Sequence, residues 1–559
     1  MLTRLGPPVA ILLLAGPILA GLAGTILPAF GYLPVLGGGE LSPQPFRELA
    51  AEPGLLTSVM LSIGVGLAAT LVSVIVVALF LAGWTGTRAF MRIQHLVSPL
   101  LSVPHAAAAF GFAFLIAPSG MVVRLMSPGL TGWTAPPDAL IVHDPAGLTM
   151  TVGLAVKEIP FVLLVSLAAL QQANSRERCI LAASLGYGRV IGFLHTVWPS
   201  VYRQIRLAVF AVLAFSTSVV DVAMILGPTS PAPLAVRVVG WMGDPDLSMR
   251  FKASAGALLQ LVVTALALIA WLGFERAGAL VLDLLRDSGR RLRRDAVART
   301  TGLAVMSVSS AVVFAGLATL VLWSIAGLWQ FPSALPREIS LRTWQNALPR
   351  IGGPLGTTFV VAALSAAIAV LVAVLCLARE GETGRTGGRG ALALIYLPLI
   401  VPQAAFLFGL QFLFLLAGLN ASLPALVLAH LVFVLPYVFL SLSDPWRVYD
   451  RRYDAIAAGL GASRLRTMTA VRLPILLRPI LVAAAIGFAV SVGQYLPTLL
   501  IAGGRLPTVT TEAVALASGG NRRVIGVYAV LQMALPAIGF AIATLAPALL
   551  WRRFRALRV

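Results

Sequence analysis

The sequence has few charged residues, few cysteines and hardly any lysine. Charged residues make up 11% of its 559 positions and hydrophobic residues 59%, with a mean hydropathy of +0.93. Soluble chains carry about 25% charged residues. The two cysteines, Cys179 and Cys376, cannot form a disulfide framework or a metal cluster. This composition excludes a soluble domain and indicates a protein that crosses a membrane many times.

The shortage of lysine also excludes a nucleotide-binding loop, which needs a lysine directly after a glycine-rich turn. The only lysines are Lys157 and Lys252, and neither follows a glycine. There is no HExxH motif and no cluster of histidines and acids. The sequence therefore predicts no catalytic residue, no bound cofactor and no metal site. The net charge of +20 comes from arginines in short loops between apolar runs, which does not imply a nucleic-acid partner.

Long apolar runs are abundant, and twelve of them approach the roughly 20 residues that a membrane span needs. The first run is interpreted as a retained span, not a cleaved signal peptide. The predicted spans are 9–30, 55–82, 96–117, 147–170, 202–226, 255–282, 301–328, 357–378, 391–416, 423–442, 477–502 and 524–550.

The distribution of arginine predicts which loops face the cytoplasm, because basic residues accumulate in cytoplasmic loops. Most of the arginines fall in alternate loops and at the two ends of the chain. Both termini are therefore predicted to be cytoplasmic, including the tail 551–559. The predicted cytoplasmic loops are 83–95, 171–201, 286–299, 379–390 and 443–476.

Two polar, basic stretches, 176–206 and 451–481, match each other. Gly186 and Pro199 in the first correspond to Gly461 and Pro474 in the second, at one offset of 275 residues. In each, a short helical run ends at the glycine, which can cap a helix in the left-handed conformation. The proline then opens the next apolar run, where a missing N–H costs little. The pattern predicts a helix–turn–helix at the membrane surface, present twice.

The repeat extends beyond these loops. The segment SVPHAAAAFGFAF (102–114) echoes IVPQAAFLFGLQF (400–412), and EIPFVLL (158–164) echoes VLPYVFL (434–440). Both copies run in the same direction. The sequence thus predicts an all-α fold of two parallel six-helix repeats. The predicted units are 1–285 and 301–559, joined by a basic cytoplasmic connector at 286–300.

The repeated stretch resembles the EAA loop of bacterial ABC importer permeases. In that loop, E-A-A is followed by three residues, a glycine, nine further residues and then I-x-L-P. Ile180 and Ala455 replace the glutamate here. The resemblance implies that both loops contact the ATPase. The implied coupling residues are Ala182, Ala183, Gly186, Arg189, Pro199, Ala457, Ala458, Gly461, Arg464 and Pro474.

The resemblance covers essentially the whole chain, as two permease units fused head to tail, and is closest to the ferric-iron and thiamine-type permeases. It implies the permease subunit of an ATP-driven importer in a bacterial inner membrane. The implied partners are two cytoplasmic ABC ATPase subunits, which would use the ATP, and a periplasmic solute-binding protein.

Four polar residues fall within the predicted spans and are candidates for the substrate path. Lys157 and Glu158 lie near the middle of the fourth span, where charge is expensive. They could line the path, position a broken helix or form an internal salt bridge. Asp221 in the fifth span aligns with Gln494 in the second copy. These two could line the path, or could make hydrogen bonds between helices.

A secondary transporter with 6+6 spans, driven by an ion gradient, would have the same number of spans. Such a transporter carries its main signature after the second span, where this chain has only the short segment WTGTRAFMRIQ. The long, basic, repeated loop lies between the fourth and fifth spans instead. The position of this loop favours the ABC permease.

Overall fold

The computed structural model describes residues 2–384 and 387–550. Within them, all regular secondary structure is helical. A long apolar run can satisfy its own backbone hydrogen bonds in lipid by forming a helix. The first thirteen helices are α1 Gly6–Ala29, α2 Gln44–Ala50, α3 Leu55–Trp84, α4 Arg88–Val97, α5 His105–Ile116, α6 Met121–Met126, α7 Leu148–Gln171, α8 Ser175–Ser184, α9 Arg189–Thr196, α10 Trp198–Ser218, α11 Asp221–Leu226, α12 Leu234–Met242 and α13 Met249–Asp287.

The second part of the chain forms twelve more helices. They are α14 Ala296–Ser324, α15 Arg342–Thr383, α16 Arg389–Ile400, α17 Gln403–Leu416, α18 Leu423–Val448, α19 Arg452–Gly459, α20 Arg464–Thr467, α21 Leu473–Ile475, α22 Leu477–Val492, α23 Leu496–Ala502, α24 Val509–Ala515 and α25 Arg522–Leu550. Short 3-10 helices lie at Leu2–Leu5, Pro34–Leu36, Ser98–Ser102 and Leu516–Gly519, and a π-helix lies at Met468–Arg472.

In the described residues, nine helices are long and apolar enough to cross a membrane, and eleven spans result if each of two bent pairs counts as one. The all-helical, multi-pass fold is therefore confirmed. Of the twelve predicted spans, 202–226 is the one that is not among these eleven. Its helix α10 begins with a polar stretch that includes Arg203, Gln204 and Arg206, which lowers its mean hydropathy.

Four of the predicted spans are interrupted helices, a feature that apolar length alone does not predict. In the third span of each repeat, a proline follows the break: α5 starts after Pro104, and α17 starts after Pro402 at 86° to α16. Proline lacks the N–H of a helical hydrogen bond and disfavours helix in the residue before it. The fifth spans break between α10 and α11 and between α22 and α23.

The two parts of the chain are interlocked through their first spans. Helix α1 packs on α17 of the second part, and α14 packs on α5 of the first. Glycines permit both contacts: a Cβ on Gly24 would lie 2.8 Å from the carbonyl oxygen of Gly409, and a Cβ on Gly111 would lie 2.8 Å from the carbonyl carbon of Gly316. The first span of each repeat therefore belongs structurally to the opposite half.

One end of the helix bundle, here called the loop end, carries α8–α9 and α19–α20. The connector, the loop after α3 and the N-terminus also lie there, since Trp84 donates a hydrogen bond to the Arg299 carbonyl and Thr3 to the Glu382 carboxylate. The opposite end is called the far end. The loops predicted to share one side thus lie together, whereas the tail 551–559 lies outside the described residues.

Candidate functional site

The two repeated loops have the same backbone geometry. Gly186 has φ of 81° and Gly461 has φ of 79°, so both have the predicted left-handed conformation. In the first loop, Gly186 N–H bonds the Ala183 carbonyl at 2.9 Å, and the next N–H bonds the Ala182 carbonyl at 3.1 Å. In the second, the corresponding bonds to Ala458 and Ala457 are both 2.9 Å. These paired bonds define the Schellman motif, which ends a helix by satisfying its last carbonyls.

The same side chains are exposed in both loops. Ala182 and Ala457 are buried and fix each loop to its neighbours, whereas Ala183 and Ala458 are exposed. Large apolar side chains also project outward at equivalent positions. The exposed fractions are 60% for Leu181 and 60% for Ile456, and 56% for Leu185 and 83% for Leu460. We call these four side chains the loop patches. Exposed apolar groups among charged ones typically mark a protein-interaction surface.

The loops differ after the glycine. Both Arg189 and Arg464 are exposed, and Arg189 also donates a hydrogen bond to the Thr85 carbonyl. Pro199 lies in the first turn of α10, as predicted. Pro474 instead lies within the short α21, and the chain bends by 74° before α22 begins. Pro474 therefore does not open the long helix directly, in contrast to the prediction.

The connector binds the first loop only. The backbone N–H of Gly188 donates to the Arg291 carbonyl at 2.8 Å, and Arg293 donates from Nε to the Gly186 carbonyl at 3.1 Å. Asp295 accepts a hydrogen bond from the N–H of Val190 at 2.8 Å. We call residues 291–295 the strap. The described residues contain no equivalent at the second loop, where a Cβ on Gly461 would meet no atom within 4 Å.

Inside the membrane, three helix breaks converge. Asp221 is the first residue of α11, and Gln494 lies between α22 and α23, so each occupies the break in its own fifth span. A Cβ on Gly493 would lie 3.7 Å from Cβ of Pro104, at the break in the third span. Tyr495 donates a hydrogen bond to the Met224 sulfur at 3.5 Å, which joins the two fifth spans. Discontinuous helices of this kind form the substrate sites of many transporters.

His105 brings the two buried acids to the same place. Its Nε2 lies 3.0 Å from Oε1 of Glu158, and its ring packs on Phe215 with centroids 4.6 Å apart. His105 is the first residue of α5, which packs against α11, and Asp221 is the first residue of α11. Asp221 is only 7% exposed, so its carboxylate is closed off from bulk solvent in this conformation. Sequence reasoning missed His105, although it directly follows the repeated proline.

Lys157 and Glu158 both bind the broken third span. The Lys157 ammonium donates to the Leu100 carbonyl at 2.9 Å, within the 3-10 turn, and Glu158 binds His105 just after the break. The contact of Glu158 with His105 is within salt-bridge distance and joins the fourth span to the neighbouring third span. These contacts fit two of the predicted roles, an internal salt bridge that holds the fourth span to its neighbours and the positioning of a broken helix, and the role of both residues stays a prediction.

His430 is a further polar residue that the sequence analysis did not select. Its Nδ1 lies 2.7 Å from the hydroxyl of Ser491 in α22, and its Nε2 lies 3.0 Å from the hydroxyl of Thr498 in α23. One imidazole thus links both sides of the break in the second fifth span. Two sequence features could have indicated this site: a single histidine in an apolar run, and two hydroxyl residues seven positions apart in another apolar run.

Comparison with known proteins shows the family. The chain is 31% identical over 507 residues to the inner membrane ABC transporter permease protein YnjC of Escherichia coli, covering 90% of this chain and 91% of YnjC. This chain belongs to the ABC transporter permeases. No protein-family model matches it.

Two further relatives match parts of the permease. The molybdenum transport system permease protein ModB of Mycobacterium tuberculosis is 35% identical over 157 residues, which is 26% of this chain and 59% of ModB. The putrescine transport system permease protein PotI of E. coli is 26% identical over 188 residues, which is 32% of this chain and 66% of PotI. The family assignment makes this chain a transport component and favours the ABC permease over the ion-driven secondary transporter.

The Asp221→Asn permease is expected to fold normally and to transport several-fold more slowly. Among residues 2–384 and 387–550, no Lys, Arg or His nitrogen lies within 4.0 Å of the Asp221 carboxylate, so the substitution leaves no buried counter-charge unpaired. Uptake by vesicles and thermal stability in detergent are the two measurements.

If Asp221 has a structural role instead, Asp221→Asn should give a different result. Loss of one partner of a buried ion pair costs roughly 3–5 kcal/mol, so yield and thermal stability would then fall together with transport. Unchanged transport would exclude Asp221 from the path.

Proposed function

We propose that this permease is the fused membrane subunit of an ATP-driven importer, with units 1–285 and 301–559 forming one substrate path. The two repeated loops are the docking sites of two cytoplasmic ATPase subunits, which use the ATP, and the loop end with both termini faces the cytoplasm. A periplasmic solute-binding protein delivers the substrate at the far end. Asp221 and Gln494 face the path at the breaks of the fifth spans.

The observation that carries the proposal is the equivalence of the loop patches. Two apolar side chains in each loop project from a polar, arginine-rich end of the bundle. Each lies on a short helix held by the same Schellman motif. A partner that binds two equivalent patches has two copies or two similar subunits, as a pair of ATPases does.

Leu460→Asp is expected to reduce docking at the second loop. A carboxylate placed within an apolar interface must be desolvated, which weakens binding. ATP hydrolysis that copurifies with the tagged permease from native membranes should fall at least fivefold. Val297→Asp is the matched control, because Val297 is 79% exposed at the loop end but lies outside the loop patches. Equal loss in both variants, or in neither, would contradict the proposal.

For the substrate, we propose a thiamine-type or ferric-iron solute, on the basis of the fused layout and the segment VPHAAAAFGFAFLIAPSG (103–120). The relatives ModB and PotI are instead named for molybdenum and putrescine transport. Uptake of labelled thiamine, ferric iron, molybdate and putrescine by membrane vesicles with the complete transport system separates these substrates. ATP-dependent uptake of molybdate or putrescine alone would disprove the thiamine or iron proposal.

A further inference from the structure

A cleft of about 1240 Å³ opens at the far end, outside the site described above. The ends of α14, α15 and α25 enclose it together with residues 119–124 of the first half, so both halves contribute. Its charged lining residues are Arg124, Arg342, Arg350, Arg522, Arg523, Glu338 and Glu512. Five arginines against two glutamates give a formal excess of three positive charges.

Two of these guanidinium groups are held close together. Arg124 donates from Nε to the Ser119 carbonyl at 3.0 Å, and Arg522 donates from Nη1 to the same oxygen at 3.0 Å. Both groups also stack near the Trp323 ring, at 5.6 Å and 5.5 Å from its centroid. Two like charges that share one acceptor repel each other, and an anion between them would relieve the repulsion.

Arg124 is the base of the cleft. It is 3% exposed, and its Nη1 donates to the carbonyls of Gln330 and Ser333, both at 3.0 Å. These neutral carbonyls fix the guanidinium without neutralising it. In the described part of the chain, no carboxylate oxygen lies within 4.0 Å of a nitrogen of Arg124 or Arg522.

Elsewhere at the far end, two cations share one carboxylate. Arg237 and Lys252 bind opposite oxygens of the Glu52 carboxylate, at 2.6 Å and 2.9 Å. Burial raises the pKa of this carboxyl, but the hydrogen bonds and charges of Lys252 and Arg237 outweigh burial and hold the pKa below its usual range. Glu52 therefore neutralises its neighbouring cations, in contrast to Arg124 and Arg522, which bind neutral carbonyls.

We propose that the cleft binds an oxyanion of the sulfate or phosphate type, between Arg124 and Arg522. Planar guanidinium groups bind such oxygens with paired, charge-assisted hydrogen bonds. The anion comes either from solution or from the phosphate headgroup of a lipid, since the cleft lies where membrane helices end. This inference does not depend on the transport function.

Sulfate is the probe for the first test, with the full chain in nanodiscs of phosphatidylcholine. Titration calorimetry should show saturable binding of one sulfate, weakened at least tenfold by Arg522→Gln and several-fold by Arg350→Gln. Arg505→Gln is the matched control, because Arg505 is exposed near the same end but does not line the cleft. Arg522→Lys keeps the charge without the planar fork and should retain part of the affinity.

The second test separates the two sources with nanodiscs that contain phosphatidylglycerol. If the lipid headgroup is the ligand, phosphatidylglycerol weakens sulfate binding and copurifies with the wild type but not with Arg522→Gln. If a free anion is the ligand, sulfate affinity is the same in both lipids. The proposal is overturned if neither anion binds, if Arg522→Gln and Arg505→Gln bind equally, or if the cleft binds only an acidic protein.

Discussion

Replacing Gly461 by valine is expected to lower transport at least tenfold while the protein still inserts into the membrane. A β-branched residue is strained at φ of 79°, since the left-handed region costs an ordinary residue about 1–2 kcal/mol. The Schellman bonds to Ala457 and Ala458 would be lost, and the helix that carries Leu460 would lose its fixed end. Transport and coupled ATP hydrolysis in reconstituted vesicles measure the effect.

Two controls separate backbone conformation from side-chain size. Gly459→Val places the same side chain two residues earlier, where φ is not positive and a Cβ meets no described atom within 4 Å. Gly461→Asn allows the left-handed conformation, which asparagine tolerates. Both should retain most of the transport activity. If Gly461→Val transports at the wild-type rate, the glycine cap is not needed for coupling.

A second large effect is expected at the interlock: Gly409→Val should leave little folded permease. A Cβ at position 409 would lie 2.6 Å from the backbone carbonyl carbon of Gly24, and a helix backbone cannot move aside as a flexible side chain can. Overpacking typically costs about 1–3 kcal/mol, and backbone on both sides of this contact places the cost at the upper end. Folded yield is measured by size-exclusion chromatography in detergent.

Gly64→Val is the matched control for the interlock, because Gly64 lies within the membrane helix α3 and a Cβ there meets no described atom within 4 Å. Its yield should equal that of the wild type. Equal yields for Gly64→Val and Gly409→Val would mean that the helices α1 and α17 do not need their close contact.

The repeated loops were the part of the site that local sequence could predict. A glycine that ends a helix and a proline that begins the next act through their own backbone, so Gly186 and Gly461 were sufficient to predict the turn. The helical type of the spans, and the positions of eleven of the twelve, followed from apolar length in the same way. The roles of the loop residues in ATPase coupling remain predictions.

The interlock and the role of His105 could not be predicted, because they depend on contacts between distant parts of the chain. Gly111 looks like any small residue in an apolar span until Gly316, some two hundred positions later, is placed against it. Likewise, Glu158 is an isolated membrane acid until the broken third span brings His105 to it. Hydropathy measures how apolar a run is and does not show where it bends.

The strap has a consequence for how force would pass through a single fused chain. Residues 291–295 hold the first loop and continue directly into α14, which packs on α5 of the first half through Gly316 and on α25 of the second half. A displacement of the first loop would therefore also displace α14, which contacts both halves. Among the described residues, the second loop is bound instead by α15 of its own half, through the hydrogen bond from Arg451 to the Gly381 carbonyl, so its displacement would act first on that half. If ATPases dock at both loops as proposed, identical strokes of the two would then produce unequal movements in the membrane.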